Sequence, residues 1–177
     1  MVLGAEKSWS EKTPVDDVFY DRVDHLLYAQ ENGIQYLKKL SELHDHISWN
    51  RFCHSYMNCR YQTQYDGMVF RDKIAVKAAC KAFAEELKGQ TWRNDEYRQE
   101  MLLAAEGLCL VAQMSEKMNG IQTEKLIDTR KWVEKYSEKW LEKNKSSELH
   151  RITEMFSWLE EMEIDTCIDV KNVKEQL

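Results

Sequence analysis

Residues 94–119 constrain the fold of this chain more than any other segment, because they form its most apolar stretch. Apolar and small residues recur there at intervals of three and four, the period of a helix buried along one side: Met101, Ala104, Ala105, Leu108, Val111, Ala112 and Ser115. Further apolar residues widen this stripe around most of the helix: Leu102, Leu103, Cys109 and Leu110. A helix that is apolar nearly all round belongs at the centre of a bundle. We therefore expect a central helix here, and Leu108→Asp is predicted to unfold the domain by burying a charge.

Polar residues at both ends of this segment predict where the helix begins and ends. Asn94 and Asp95 supply capping groups and negative charge at its amino terminus. Asn119 and Gly120 tolerate the left-handed conformation that ends many helices.

Other segments with helical spacing are predicted to form the walls of the bundle. Thr13 and Pro14 are typical of a helix start, and the apolar face that follows continues past Gly33, where we expect a break or kink. Residues 71–88 carry a narrow stripe of small residues suited to close helix packing. Thr123 is predicted to cap a helix that runs to Asn144, and residues 146–147 to cap another. Residues 47–70 are rich in aromatic residues but have no clear period.

The chain contains only one proline and six glycines, and so few turn-forming residues favour long helices over many short strands. We therefore predict an all-α fold, a bundle of about five or six helices around the central apolar helix. This bundle would span residues 13–163 and end in a C-terminal tail, 164–177. Residues 1–12 are predicted to be a short strand that runs into a loop, and a lone strand has no partner in a helical chain.

Composition argues against several classes of function. The chain has 31 acidic and 25 basic residues, which gives a net charge of -6. Because residues of both signs are interspersed along the chain, the sequence does not show the basic surface typical of proteins that bind nucleic acid. No apolar run reaches the ~20 residues that span a bilayer, so we expect no membrane partner. The five cysteines are an odd number, and Cys80 and Cys109 fall on apolar helical positions. This usage favours a reducing compartment and a cytoplasmic location.

Three groups of residues invite a chemical interpretation. His44, His46, Cys53, His54 and Cys59 lie close in sequence, but their spacing matches no common zinc pattern, so we predict no metal and no other cofactor. The pair Asp95-Glu96 is better explained by helix capping than by catalysis. Trp132, Tyr136 and Trp140 form an aromatic line at spacing four, which favours packing, with sugar stacking as the less common use.

The first residues resemble a known enzyme family. The run Gly4-Ala5-Glu6-Lys7-Ser8-Trp9-Ser10-Glu11 resembles the end of the last barrel strand in glycoside hydrolase family 20 β-N-acetylhexosaminidases, where Trp-x-Glu follows a strand of small residues. Residues 102–112 and 140–149 look like the helical region that follows the barrel in some bacterial members. The resemblance would explain the unpaired strand at 1–12, as the remnant of a preceding catalytic barrel.

The resemblance implies roles for two residues in the full-length parent enzyme. Trp9 would match the tryptophan that walls the pocket for a terminal N-acetylhexosamine, and Glu11 the carboxylate that bonds to sugar hydroxyls. Hydrolysis in this family is assisted by the substrate's acetamide and needs an Asp-Glu pair on an earlier strand. This chain has no such pair in the right context, so we expect no catalytic residue in it.

These observations leave three hypotheses for the function. The first is an accessory C-terminal helical domain of a hexosaminidase, which packs on the preceding barrel and shapes the cleft for its carbohydrate substrate or forms a homo-oligomer contact. The second is a free-standing interaction module that binds a protein through residues 47–70. The third, a small-ligand sensor in the bundle core, has no specific sequence feature in its favour.

Overall fold

The structure is a computed structural model that describes residues 17–28, 33–47, 49–61, 73–118, 120 and 124–162. These residues form seven α-helices and no strand, so the all-α prediction is confirmed. The helices are α1 (Asp17–Val23), α2 (Gly33–Ile47), α3 (Trp49–Tyr61), α4 (Lys73–Lys88), α5 (Asp95–Met118), α6 (Thr129–Lys143) and α7 (Leu149–Glu161). A π-helical turn, Asp24–Tyr28, follows α1, and a 3-10 turn, Ser146–Glu148, precedes α7.

Helix α5 is the centre of the bundle, as the sequence predicts. It packs against α2, α3, α4 and α6, and its contact with α4 is the most extensive in the described structure. Asp95 and Glu96 lie in its first turn, and Gly120 beyond its last turn has a φ of 70°. That left-handed backbone is the conformation that glycine accepts most readily after a helix.

The core consists of two apolar clusters that meet along α5. One surrounds the amino-terminal half of α5 and is built around Phe83, Leu87 and Ala105, which are fully buried. The other surrounds the carboxy-terminal half and contains Leu110 and Phe156 among its buried side chains. Because α5 contributes to both clusters, it joins the two halves of the bundle.

The register of α5 differs in part from the predicted stripe. Leu110 is fully buried and Leu108 only partly, while Ala104 is exposed. Since neighbours surround α5 on several sides, the apolar residues outside the predicted stripe decide which positions are deepest. A charge at Leu110 is therefore expected to be more destabilising than one at Leu108.

Six α-helices accompany α5 in the described residues, which agrees with the predicted five or six around a central helix. One of them begins at Gly33, near the expected break, and the aromatic segment forms another, α3. Two helix starts differ from the prediction. Helix α6 begins at Thr129 and is capped by Asp128, whose side chain accepts a hydrogen bond from the Lys131 backbone N–H, so the cap lies five residues after the predicted position, 123. Helix α7 begins after a 3-10 turn, and no side chain caps it.

Polar side chains of α5 fasten neighbouring elements to it. Lys117 donates to the carbonyl oxygens of Leu159 (2.8 Å) and Glu160 (2.6 Å), which lie in the last turn of α7, where helix carbonyls lack partners. The buried Gln113 accepts hydrogen bonds from the backbone N–H groups of Leu126 (2.8 Å) and Ile127 (3.2 Å). These contacts fix the segment before α6 and the end of α7 against the central helix.

Several predictions lie outside the described residues. They concern the strand at 1–12, the helix start at Thr13-Pro14 and the tail at 164–177. None of the described helices is both long enough and apolar enough to cross a bilayer.

Candidate ligand groove between α5 and α6

The predicted aromatic line of α6 forms one wall of a surface groove. Trp132 and Tyr136 are stacked, with ring centroids 5.0 Å apart and an angle of 17° between the rings. Trp140 follows at 5.9 Å from Tyr136 with an angle of 32°. At these centroid distances neighbouring rings overlap only in part, so each ring has a part of its face that its neighbour does not cover. Trp132 is almost fully buried, whereas Tyr136 and Trp140 are half-buried.

The groove lies between α5 and α6 and has a volume of about 290 Å³. Leu103 and Ala104 of α5 supply apolar surface opposite the three rings. Polar and charged side chains complete the lining: Glu100, Lys139, Lys143 and Asn144. A mainly apolar concave surface with a few polar groups is the usual form of a small-molecule binding site.

A glycine allows the two helices to approach closely beneath the aromatic row. A Cβ at Gly107 of α5 would lie 2.7 Å from Cζ2 of Trp132, a distance that a real side chain does not adopt. The indole Nε1–H of Trp132 donates to the Leu103 carbonyl oxygen at 3.0 Å. Trp132 is thus held in place by a close backbone approach and by one hydrogen bond.

The far end of the row is held by the end of α6. The Trp140 indole donates through Nε1 to the Lys145 carbonyl oxygen at 2.8 Å. Asn144 donates from its backbone N–H (2.8 Å) and from Nδ2 (3.1 Å) to the Trp140 carbonyl oxygen. The bonds from Asn144 satisfy a carbonyl oxygen at the end of the helix. The bond from the indole N–H orients the Trp140 ring before any ligand binds.

The charged groups at the groove are paired with one another. The Lys143 Nζ contacts Oε1 of Glu96 at 2.9 Å and makes a shorter contact with Glu100. The Lys139 Nζ lies 2.8 Å from Oε2 of Glu142. Hydrogen bonds to these carboxylates raise the pKa of Lys143 and of Lys139, so both stay charged at neutral pH.

Tyr136 brings a hydroxyl group to the groove. Burial raises the pKa of Tyr136, so the phenol is neutral at physiological pH. Within the described part of the chain no group hydrogen-bonds to this hydroxyl. A neutral phenol both donates and accepts a hydrogen bond, so Tyr136 is a polar contact available to a ligand.

The two residues to which the sequence resemblance assigns sugar contacts, Trp9 and Glu11, lie outside the described residues. Asp95 accepts hydrogen bonds from the side chains of Arg98 (2.6 Å) and Gln99 (2.5 Å), while Glu96 pairs with Lys143. Both acids lie in the first turn of α5, where the helix dipole favours negative charge, and these partners are side chains rather than backbone N–H groups.

The histidines and cysteines of the middle segment are spread over α2 and α3. His44 and His46 lie in the last turn of α2, while Cys53, His54 and Cys59 lie along α3. Among the described residues, no three His, Cys, Asp or Glu side chains converge on a point that would hold a metal ion.

Sequence reasoning identified the three rings but missed the other side of the groove. Glu100, Leu103 and Ala104 come from α5, at a distance in sequence that no local motif connects to α6. Two features of the sequence could have indicated the groove. Gly107 interrupts the apolar stretch of α5, which indicates that a neighbouring element approaches the helix closely there. Lys139 and Lys143 follow Tyr136 and Trp140 at a spacing of three, so they share a helix face with the rings.

Comparison of the chain with protein-family models, with curated proteins and with solved structures finds no match in any of the three.

Proposed function

We propose that this chain is a non-catalytic helical domain of a glycoside hydrolase similar to the β-N-acetylhexosaminidases, and that it binds carbohydrate in the α5–α6 groove. The observation that carries the proposal is the row Trp132, Tyr136 and Trp140, which walls a groove with a polar rim. Aromatic rings pack against the C–H faces of sugar rings, while polar side chains bond to the hydroxyl groups.

The composition of the groove favours binding over catalysis. Its one lining carboxylate, Glu100, is tied to Lys143. Glycoside hydrolysis generally requires two carboxyl groups that flank the scissile bond, or one acid and an acetamide held in place by an aspartate. The lining residues supply neither arrangement, so the role that fits them is to hold a sugar while another domain cleaves it.

The resemblance around Trp9 and Glu11 supplies the enzymatic context of the proposal. In that context the helical bundle packs against the barrel and presents its groove to carbohydrate near the cleft. The direct test is to read the coding sequence upstream of Val2 and to assay the encoded full-length protein on a chromogenic N-acetylglucosaminide. An upstream barrel with an Asp-Glu pair and turnover supports this context, whereas a native start at Met1 and no turnover contradicts it.

A second candidate function, a protein-interaction module, is favoured by one surface of α3. Trp49, Met57 and Tyr61 are exposed large apolar side chains that recur at multiples of four along this helix. Such a stripe is typical of helices that bind a partner. Under this alternative, Met57→Glu would abolish capture of the partner, while Trp140→Ala would leave that capture unchanged.

A further inference from the structure

The lysines that line the α5–α6 groove leave little to attract an anionic ligand. An anionic ligand finds the ammonium groups of Lys139 and Lys143 already paired with Glu142, Glu96 and Glu100. To form an ion pair it would have to displace one of these carboxylates and approach the others. The three carboxylates and two ammonium groups of this cluster together carry a net charge of -1, which further opposes the binding of an anion.

From these pairings we infer that the groove binds a neutral pyranose unit of an oligosaccharide and selects it against acidic counterparts. This inference rests on the proposed carbohydrate function and names the ligand class of that site. It assigns the contact to Trp140 and Tyr136, with Lys139, Lys143 and Asn144 at the rim.

The hydrogen-bonding groups of the rim suit hydroxyl groups. A sugar hydroxyl group donates one hydrogen bond and accepts others, so it can form hydrogen bonds with an ammonium group, an amide or a phenol. The lysines remain donors although they are paired, since each ammonium group carries three N–H bonds. Glu100 and the Asn144 side-chain carbonyl are acceptors. A neutral ligand can therefore satisfy the rim without breaking an ion pair.

The apolar part of the groove suits the C–H face of a sugar ring. Leu103 and Ala104 of α5 line the groove together with the aromatic row of α6, so a ligand there meets apolar surface from both helices. The hydrogen bonds of the Trp132 and Trp140 indoles to the backbone hold both rings in position. A preformed aromatic wall lowers the entropy lost on binding.

The test compares three tetrasaccharides that share a β-1,4-linked backbone: two neutral ones, cellotetraose and the tetramer of N-acetylglucosamine, and one anionic one, the C6-oxidised tetrauronate. Binding to the 177-residue chain is measured by isothermal titration at about pH 7, where the uronates are ionised. We expect each neutral ligand to bind at least about tenfold more tightly than the tetrauronate. Trp140→Ala should weaken cellotetraose binding by about tenfold or more, and Trp140→Phe by less.

Trp49→Ala is the matched control, because it removes an indole from α3, outside the groove, and should leave cellotetraose binding unchanged. A second control changes the charge of the rim. The double variant Glu96→Gln/Glu100→Gln removes both carboxylates that pair with Lys143, so the affinity ratio should shift towards the tetrauronate by about tenfold. Thermal melts of every variant verify that it is folded.

The outcomes separate this inference from the proposed function. If the tetrauronate binds most tightly and Trp140→Ala abolishes its binding, the preference for neutral sugars is wrong and the carbohydrate function stands. If cellotetraose binds equally to the folded wild type and to Trp140→Ala, the assignment to this groove is wrong. If none of the three ligands binds, both the inference and the carbohydrate function are overturned.

Discussion

Gly107 of α5 lies directly against the indole of Trp132, so close that a Cβ at this position would be 2.7 Å from Cζ2 of that ring. Glycine is usually unfavourable inside a helix, by roughly 1 kcal/mol relative to alanine. Here it permits the contact between α5 and α6 on which the groove depends. The close approach of the α5 backbone to the Trp132 ring thus helps to determine where the aromatic row lies.

Gly107→Ala is expected to destabilise the protein, although the same change usually stabilises a helix. The added methyl group would displace Trp132, and overpacking of this kind costs about 1–3 kcal/mol. Urea denaturation measures the loss. Gly89→Ala is the control, since a Cβ there would meet only backbone oxygens at 3.5 Å or more, and its free energy of unfolding should change little. Equal stability of wild type and Gly107→Ala would contradict the close approach of α5 to the Trp132 ring.

The buried ion pair between α4 and α5 yields a second prediction. The Lys77 Nζ lies 2.5 Å from Oε2 of Glu116, and both side chains are almost fully buried. Lys77→Met or Glu116→Met alone would leave a buried charge and should lower the free energy of unfolding by about 3–5 kcal/mol. The double variant removes both charges, so its loss should be smaller than that of either single variant. Additive losses in this double-mutant cycle would show that the two groups do not interact.

The side chain of Gln113 should contribute to stability through the segment before α6. Its Oε1 accepts from the backbone N–H groups of Leu126 and Ile127. Gln113→Leu leaves both donors without this acceptor, so we expect a loss of about 1–3 kcal/mol in a chemical melt. Gln99→Leu, on the outer face of α5, should change stability by less than about 0.5 kcal/mol. The prediction fails if the two variants melt alike.

Two buried thiols predict a loss of stability at alkaline pH. Burial raises the pKa of Cys80 to about 12 and that of Cys109 to about 11, from an ordinary value of 9.0. Above about pH 9 the unfolded chain releases these protons while the folded protein retains them, so the folded state is favoured less as pH rises. Stability from this source is complete below pH 9 and declines up to the folded pKa values.

Urea midpoints measured between about pH 8 and pH 11 test the alkaline decline. The variant Cys80→Ala/Cys109→Ala should lose less stability over this interval than the wild type does, each relative to its own value at the lower pH. Burial also raises the pKa of the half-buried Tyr136. Because this residue is present in both proteins, it contributes equally to both slopes. Parallel slopes for the two proteins would contradict the role of the thiols.

The central helix could be predicted from sequence because its signals are local. Asn94, Asp95 and Gly120 mark its ends, and the apolar residues between them have a helical period. The depth of each residue could not be predicted as well: Leu108 lies at the edge of the core and Leu110 at its centre. That depth is determined by the positions of the surrounding helices, which a single segment does not encode.

The candidate groove could be predicted only on one side. Trp132, Tyr136 and Trp140 recur at spacing four, so their common face was evident from sequence. Glu100 and Leu103 join them only because α6 packs against α5 through a contact between residues distant in sequence. The ion pairs of Lys143 with Glu96 and Glu100 depend on the same packing, and no local pattern predicts them.

The most direct test of carbohydrate binding in the groove is to follow the indole N–H signals of the six tryptophans by NMR during a titration with cellotetraose. The α5–α6 groove predicts that the Trp140 signal shifts most, that the Trp132 signal also shifts, and that those of Trp49, Trp92 and Trp158 stay in place. A titration that leaves the Trp140 signal unmoved, or that shifts Trp49 or Trp158 instead, would contradict the groove as the carbohydrate site.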